Sequence, residues 1–181
     1  KNYGDSNNVK PEDIKTEVIM LPANVIHEEA GSFTNSGRVA QWHWAASDPP
    51  GEAKIDREII GSLFTKLREM YAKDGGKFPD AIMKITWNYA NPNVPSGEEL
   101  LREISGRALT DVVDPKGKTK VLARAGEQLP GFGMLQDDGS TACGNWLYCG
   151  SWSQAGNLTA RRDSSDPGNL GNNLNWGYSW P

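Results

Sequence analysis

The chain is poor in the residues that most often build a self-contained catalytic centre. It has 181 residues, among them two histidines and two cysteines. Two thiols complete neither a zinc nor an iron–sulfur site without help from histidines or carboxylates. The chain also lacks a Gly-x-Ser-x-Gly elbow, a Walker loop and a complete Gly-x-Gly-x-x-Gly turn. The sequence therefore predicts no nucleophile and no phosphate cradle of its own.

Long apolar runs and a strong charge of one sign are absent as well. The run Val18-Ile19-Met20-Leu21 is among the longest and is too short to cross a bilayer, and no basic segment followed by an apolar stretch opens the chain. The net charge is −4, and the positive side chains are scattered rather than clustered. We expect neither nucleic-acid binding nor direct membrane contact.

The two cysteines, Cys143 and Cys149, leave two interpretations open. Only Gly144, Asn145, Trp146, Leu147 and Tyr148 separate them. They can close a small disulfide loop in an oxidising compartment, or they can remain reduced thiols packed under an aromatic strand. The chemistry of the residues alone supports both.

Hydrophobic periodicity predicts two helices. Apolar residues recur at helical spacing between Ile55 and Tyr71, which predicts a helix with one face on a core, and Gly75 provides a stop. A shorter helix begins at Ser96, where Glu99 completes a capping box.

The N-terminal part favours a parallel sheet. The β-branched, apolar run at 16–21 is closed by Pro22, which is typical of a strand covered on both faces. In such sheets ligands bind beyond the carboxyl ends of the strands, so a site is expected in the loop 23–35. There, Gly31 is expected to have a positive φ or a close backbone neighbour, and Asn35 to bond within the turn.

After Gly106 the pattern changes to period two. It predicts a hairpin about the turn Asp114-Pro115-Lys116-Gly117, a strand over 145–152 and a Gly- and Asn-rich loop over 157–175. The expected fold class is α/β or α+β. Residues 1–90 would end a parallel-sheet domain, and residues 91–181 would form a loop-rich lobe with a short helix and β-hairpins.

Few individual residues are candidates for catalysis or metal binding. His27, Glu28 and Glu29 resemble metal ligands, but His43 is the only other histidine and does not have the spacing of a zinc protease motif, so no metal site is predicted. Trp42 and Trp44 flank His43 and are expected to pack in the core. Arg38 is expected to form a surface ion pair, with a phosphate as the alternative partner.

One stretch carries a family resemblance. It runs from Leu21-Pro22-Ala23 through Glu28-Glu29 and Gly31-Ser32-Phe33-Thr34-Asn35-Ser36 to Arg38 and Gln41-Trp42. It resembles the catalytic subunit of molybdenum- or tungsten-dependent formate dehydrogenases, which belong to the bis-pyranopterin guanine dinucleotide oxidoreductases. Further motifs of the same kind follow along nearly the whole chain: Gln41-Trp42-His43-Trp44, Pro50-Gly51-Glu52-Ala53, Arg107-Ala108-Leu109, Gly126-Glu127-Gln128-Leu129, Cys143-Gly144-Asn145-Trp146, Gly150-Ser151-Trp152 and Ala160-Arg161-Arg162-Asp163.

The resemblance implies a function for a larger enzyme. The parent would oxidise formate to carbon dioxide at molybdenum or tungsten held by molybdopterin guanine dinucleotide, and would pass electrons to a 4Fe-4S cluster. Its catalytic residues are not expected within this chain, whose two ends look cut. The isolated segment would be inactive and hold no cofactor. The expected partners are the rest of the catalytic subunit and an iron–sulfur electron-transfer subunit, and the subgroup resembled is respiratory or periplasmic.

The resemblance also singles out Glu29 and Asp56 as cofactor contacts. A carboxylate accepts two hydrogen bonds from the N1–H and exocyclic amine of guanine, which would suit Asp56. The alternative for Asp56 is a structural carboxylate at a helix N-terminus. Glu29 would hold a sugar hydroxyl or cap its loop. Alternatives for the whole chain are a segment of another bis-pyranopterin oxidoreductase, such as a nitrate reductase, and a non-catalytic binding or scaffold module.

Overall fold

The computed structural model describes residues 10–37, 39–114 and 120–160. Within them are three α-helices and eight short strands. The helices are α1 (Asp56–Asp74), α2 (Asp80–Met83) and α3 (Gly97–Ile104). The strands are β1 (Gly31–Thr34), β2 (Ala40–His43), β3 (Arg107–Ala108), β4 (Val112–Val113), β5 (Val121–Ala123), β6 (Thr141–Ala142), β7 (Trp152–Ser153) and β8 (Gly156–Asn157). Five 3₁₀ turns join them: Pro11–Asp13, Ile26–Glu28, Phe132–Met134, Trp146–Tyr148 and Leu158–Ala160.

The strands form four small antiparallel sheets, which makes the described part α+β. Each sheet has two strands: β1 with β2, β3 with β6, β4 with β5, and β7 with β8. The predicted hairpin is confirmed as β4 and β5, although its turn residues 115–119 lie outside the described residues. Parallel pairing occurs in the described chain as an isolated bridge between Ala23 and Lys54.

The predicted buried strand over 16–21 is wrong for the described chain. This segment has no assigned secondary structure, and Val18, Ile19 and Met20 are 76%, 76% and 88% exposed. A strand needs a neighbour for its backbone N–H and C=O groups, and no described segment pairs with these residues. The composition favours a strand, but the pairing that would form one is missing from residues 10–37, 39–114 and 120–160.

Helix α1 is confirmed, but the core predicted for its apolar face is not. It ends at Gly75, whose φ of 68° and N–H bond to the Tyr71 carbonyl make a glycine stop. Ile60, Leu63 and Met70 are each more than half exposed, and the buried residue of this helix is Gly61. Phe64 packs against Trp87 with ring centroids 4.4 Å apart, but the contacts of α1 leave Ile60, Leu63 and Met70 uncovered.

Helix α3 forms as predicted and packs on the first hairpin. Ser96 Oγ accepts a hydrogen bond from the Glu99 N–H at 3.1 Å, and the Glu99 carboxylate accepts one from the Ser96 N–H at 3.0 Å. This reciprocal pair satisfies two backbone donors at the helix start and lowers the pKa of Glu99, for which the Ala90 N–H bond is the largest cause. Leu101 is 1% exposed, and α3 contacts β1 and β8.

The main core lies in the second half of the chain. Its buried members are Ala108, Val112, Ala123, Leu129 and Cys149, with Met134, Leu135 and Cys143 packed against them. The strand predicted over 145–152 is wrong, because Trp146–Tyr148 is a 3₁₀ turn. Asn145 explains the difference, since its side-chain oxygen accepts the Leu147 N–H at 3.0 Å and caps the turn.

Gly61 is where helix α1 approaches another backbone most closely. A Cβ added there would lie 2.5 Å from the Asn93 carbonyl oxygen. Alanine normally stabilises a helix interior by about 0.5–1 kcal/mol relative to glycine. The overlap with the Asn93 backbone costs about 1–3 kcal/mol, so alanine at position 61 lowers the free energy of unfolding.

We therefore expect Gly61→Ala to destabilise the chain and Ser62→Ala, at an exposed neighbour in the same helix, to be neutral or stabilising. Urea unfolding of the full chain measures both free energies. If Gly61→Ala unfolded at the same or a higher urea concentration than the unmodified chain, the close approach of α1 to residues 91–94 would be wrong.

Candidate functional site

The β1–β2 hairpin carries most of the residues that the sequence singled out. Its register pairs Gly31 with His43 and Ser32 with Trp42. Trp42 is 5% exposed, so its core position is confirmed, whereas Trp44 is 56% exposed and its predicted core position is wrong. The hairpin ends at His43, and Trp44 therefore leaves the face that Trp42 occupies.

Two turn predictions in this loop have different outcomes. The Asn35 side-chain oxygen accepts the Gly37 N–H at 2.9 Å, which confirms the internal turn bond. Gly31 does not have a positive φ, and a Cβ added there would make an ordinary contact at 3.6 Å, so the special backbone predicted for it is wrong. The close approach occurs at Gly97 instead, where a Cβ would lie 3.0 Å from the Ala30 oxygen. Arg38 lies outside the described residues.

Glu29 is held by Arg57, the second residue of α1. Arg57 Nη1 donates to Glu29 Oε2 at 2.6 Å and to the Ala30 carbonyl at 3.0 Å. The two side chains are 21% and 20% exposed, so the pair is more shielded from solvent than the other ion pairs of the described residues. This contact joins the loop before β1 to the first turn of the helix.

A cavity of about 290 Å³ opens beside this ion pair. Its polar lining consists of Glu29, Ser32, His43 and Arg57, and Gly31 and Gly97 also line it. The Arg57 Nε is buried and finds no acceptor among the described residues. Buried donors are nearly always satisfied, so this unpaired N–H on a cavity-lining residue is an exception among the described side chains.

Asp56 differs from Glu29 in its surroundings. It is the first residue of α1 and is exposed, and its carboxylate makes no hydrogen bond or ion pair with another described residue. The position complements the helix dipole. Asp56 and Glu29 are not brought together in one pocket: Glu29 lines the cavity and Asp56 does not.

A larger, open groove of about 640 Å³ follows the first turns of α1. It lies between Leu21 and Pro22 on one side and Lys54, Glu58 and Leu63 on the other. Lys54 and Glu58 form an ion pair within it, and both backbone bonds of the Ala23 to Lys54 bridge lie at its edge. The groove is therefore bounded by strand-like backbone and by the exposed apolar face of the helix.

Arg57 is the site residue that the sequence analysis missed. A basic residue in the first turn of a helix is disfavoured by the helix dipole, so a compensating partner is expected wherever one occurs. The available signal was its place directly after Asp56, in the first turn of the predicted helix. The partner itself, Glu29, is distant in sequence and could not be assigned from spacing.

The sequence predicted no metal site and no direct membrane contact. In the described ranges no three side chains among His, Cys, Asp and Glu come together as a metal site. No helix in that same part of the chain is long and apolar enough to cross a membrane.

Comparison with known proteins identifies the relatives of the chain. It is 48% identical over all 181 residues to the formate dehydrogenase-O major subunit of Escherichia coli (strain K12), and 48% identical over the same length to the formate dehydrogenase major subunit of Haemophilus influenzae. It is 38% identical over 177 residues to formate dehydrogenase 2 subunit alpha (cytochrome c-553) of Nitratidesulfovibrio vulgaris. The chain matches a segment of formate dehydrogenase major subunits over its whole length. No family model matches it.

This segment spans a small part of those formate dehydrogenase subunits. It covers 18% of the first relative's length and 17% of the other two. The similarity extends over 100%, 100% and 96% of this chain, so it includes both the hairpin site and the second half. The resemblance found in the sequence motifs is confirmed, and formate dehydrogenase is favoured over nitrate reductase.

The Glu29 to Arg57 contact predicts a specific stability difference. Arg57→Met keeps the aliphatic stem but leaves the Glu29 carboxylate shielded and unpaired, which we expect to destabilise the chain by about 1–3 kcal/mol. Lys66→Met is the matched control, because Lys66 and Glu69 pair at 2.9 Å with 70% and 67% exposure, and we expect no measurable loss of stability.

Urea unfolding of the full chain measures both changes in stability, and Glu29→Gln, alone and combined with Arg57→Met, isolates the pairwise term of this ion pair. Equal losses in Arg57→Met and Lys66→Met would contradict a structural role for this ion pair.

Proposed function

We propose that this chain is part of the catalytic subunit of a formate dehydrogenase and takes part in formate oxidation through its cofactor pocket. The observation that carries the proposal is the 48% identity over the whole chain to two formate dehydrogenase major subunits. The parent enzyme would convert formate to carbon dioxide, a proton and two electrons. Molybdopterin guanine dinucleotide with molybdenum or tungsten would supply the redox chemistry, and a 4Fe-4S cluster would accept the electrons.

The residues around the small cavity fit a polar part of such a cofactor. Glu29, Ser32, His43 and Arg57 line the cavity and offer hydrogen-bonding groups to a bound molecule. The Arg57 contact holds the Glu29 carboxylate in place, so Glu29 can accept a hydrogen bond from a sugar hydroxyl without further ordering. In this role Glu29 is both a loop anchor and a cofactor contact.

Asp56 fits the guanine base for a different reason. Its carboxylate is exposed and has no partner among the described residues, so both oxygens remain available as acceptors. Guanine presents two adjacent donors, and charge-assisted pairs of this geometry are among the strong hydrogen bonds. The neighbouring Arg57 is already engaged by Glu29 and does not compete for Asp56.

The exposed N-terminal segment supports a place in a larger parallel sheet. Residues 18–21 are apolar, exposed and without a strand partner in the described chain, and the parallel bridge between Ala23 and Lys54 follows directly. Ile59 and Leu63 of α1 line the groove together with Leu21 and Pro22. We propose that strands from the rest of the catalytic subunit pair with 16–21 and that α1 covers the resulting sheet.

The remaining proposals concern the second half and the compartment. Residues 91–181 would form a separate lobe, and its exposed aromatic pair, Phe132 and Trp146, with ring centroids 5.6 Å apart, supports contact with an iron–sulfur electron-transfer subunit. A periplasmic location and a role in anaerobic respiration follow from the subgroup that the sequence resembles. Deletion of this lobe without loss of subunit association would contradict the proposed interface.

The experiment uses the complete polypeptide that contains this segment. We expect it to contain molybdenum or tungsten, to release a guanine nucleotide on denaturation and to reduce a dye with formate. Asp56→Asn replaces one acceptor with a donor that faces the guanine amine, so we expect at least about tenfold lower formate-dependent dye reduction and lower guanine nucleotide content.

Glu69→Gln, at an exposed carboxylate farther along the same helix, serves as the control and should change neither quantity. Unchanged nucleotide content in Asp56→Asn, with a small loss of stability, would assign Asp56 to the helix dipole alone. A polypeptide with no metal and no formate-dependent activity would overturn the proposed function itself.

A further inference from the structure

The two cysteines meet at the core of the second half. Cys149 is 8% exposed and belongs to the buried cluster around Leu129, and Cys143 packs against that cluster from the end of β6. Both are free thiols in the structure. Of the two interpretations that the sequence left open, the described geometry is that of a reduced pair.

Both sulfur atoms lie against the same short piece of backbone. Cys143 Sγ contacts the Ile104 carbonyl oxygen at 3.3 Å and the Asn145 carbonyl oxygen at 2.9 Å. Cys149 Sγ occupies the space beside Gly106, where an added Cβ would lie 2.2 Å from the sulfur. Cys143 packs against the buried cluster to which Cys149 belongs, so the two side chains lie in one core. The missing side chain at Gly106 leaves room for the sulfur of Cys149.

We propose that Cys143 and Cys149 form an oxidisable dithiol that closes an intrachain disulfide across the turn Trp146–Tyr148. This assignment is independent of formate oxidation, because neither cysteine lines the cavity or the groove at α1. It makes the pair a modification site whose state reports the thiol–disulfide balance around the protein.

The chemistry requires an external disulfide as the oxidant. The Cys143 thiolate, which is the more exposed of the two, attacks the external disulfide, releases one thiol and forms a mixed disulfide. The Cys149 thiolate then attacks the Cys143 sulfur and releases the second external thiol. Two protein thiols and one external disulfide become one protein disulfide and two external thiols, so atoms and electrons balance.

Burial makes the second step the slower one. Burial is the largest cause, and together with the neighbouring Cys143 it raises the pKa of Cys149 to about 11. Below that pKa the thiolate fraction of Cys149 increases about tenfold for each pH unit, so we expect ring closure from the mixed disulfide to accelerate by about tenfold per pH unit between pH 7 and pH 9.

Disulfide formation would fix the conformation of the turn that contains Trp146. Trp146 lies between the two cysteines, is half exposed and contacts Phe132 edge-on. The disulfide would join the two ends of this turn covalently, so the aromatic pair would be held in one position whichever partner it meets.

The test treats the full chain with oxidised glutathione and then alkylates the remaining thiols. Trypsin leaves both cysteines in one peptide, residues 125–161, since no Lys or Arg lies inside it. We expect this peptide to become two hydrogens lighter and to take up no alkylating reagent, and the mixed disulfide to disappear faster at higher pH. A stable glutathione adduct on Cys143 together with an alkylated Cys149 would overturn the proposal.

Two variants assign the order of the steps without depending on activity. Cys149→Ser should accumulate the glutathione adduct at Cys143, and Cys143→Ser should leave Cys149 unmodified because it is buried. An adduct that formed on Cys149 as fast as on Cys143 would overturn that order. Since the mass shift is measured on the unmodified chain, a variant that fails to fold does not weaken the test.

Discussion

Hydrogen bonds at residues 104–106 hold together the segments that form the second half of the chain. Ser105 is fully buried, and its Oγ donates to the Trp152 carbonyl and accepts from the Trp152 N–H, both at 3.2 Å. The Gly106 carbonyl accepts the Leu129 N–H at 2.7 Å, and the Ile104 carbonyl accepts the Gly144 N–H at 3.0 Å. The end of α3 is therefore tied to three segments that are distant in sequence.

This junction matters because the core beside it is small. Few side chains of the described residues are buried, and several apolar side chains of α1 are exposed. An ordinary intramolecular hydrogen bond contributes about 0.5–1.5 kcal/mol, but a buried group left without its partner costs about 1–3 kcal/mol. The bonds at 104–106 thus stabilise the arrangement chiefly by leaving no buried polar group unpaired. Side chains at 105 and 106 must be small, which also makes room for the sulfur of Cys149.

The elements that the sequence predicted correctly are those whose formation depends mainly on neighbouring residues. The periodicity from Ile55 to Tyr71 gave α1, the Ser96 and Glu99 pair gave the start of α3, and alternation gave the β4–β5 hairpin. The two wrong predictions, at 16–21 and 145–152, concern strands. The first segment has no strand partner in the described chain, and in the second the Asn145 side chain caps a 3₁₀ turn instead. The exposure of the α1 face has the same origin, since periodicity identifies an apolar face but not what covers it.

The candidate site shows the same division between what a sequence can and cannot reveal. Resemblance singled out Glu29 and Asp56 without regard to surroundings, and the structure gives these two carboxylates different ones. Glu29 is shielded and paired with Arg57, so its negative charge is largely offset and it fixes the loop against the helix. Asp56, one residue before Arg57, is exposed and has no partner among the described residues.

A carboxylate that must recognise a base has to keep both oxygens free until the base arrives, because an existing ion pair would have to be broken first. Arg57 pairs with Glu29 and not with Asp56, so it joins the loop before β1 to the helix and leaves the Asp56 carboxylate without a partner among the described residues, as the proposed guanine contact requires. The sequence places Asp56 and Arg57 side by side, but only the fold shows that the arginine turns away from its neighbour toward Glu29.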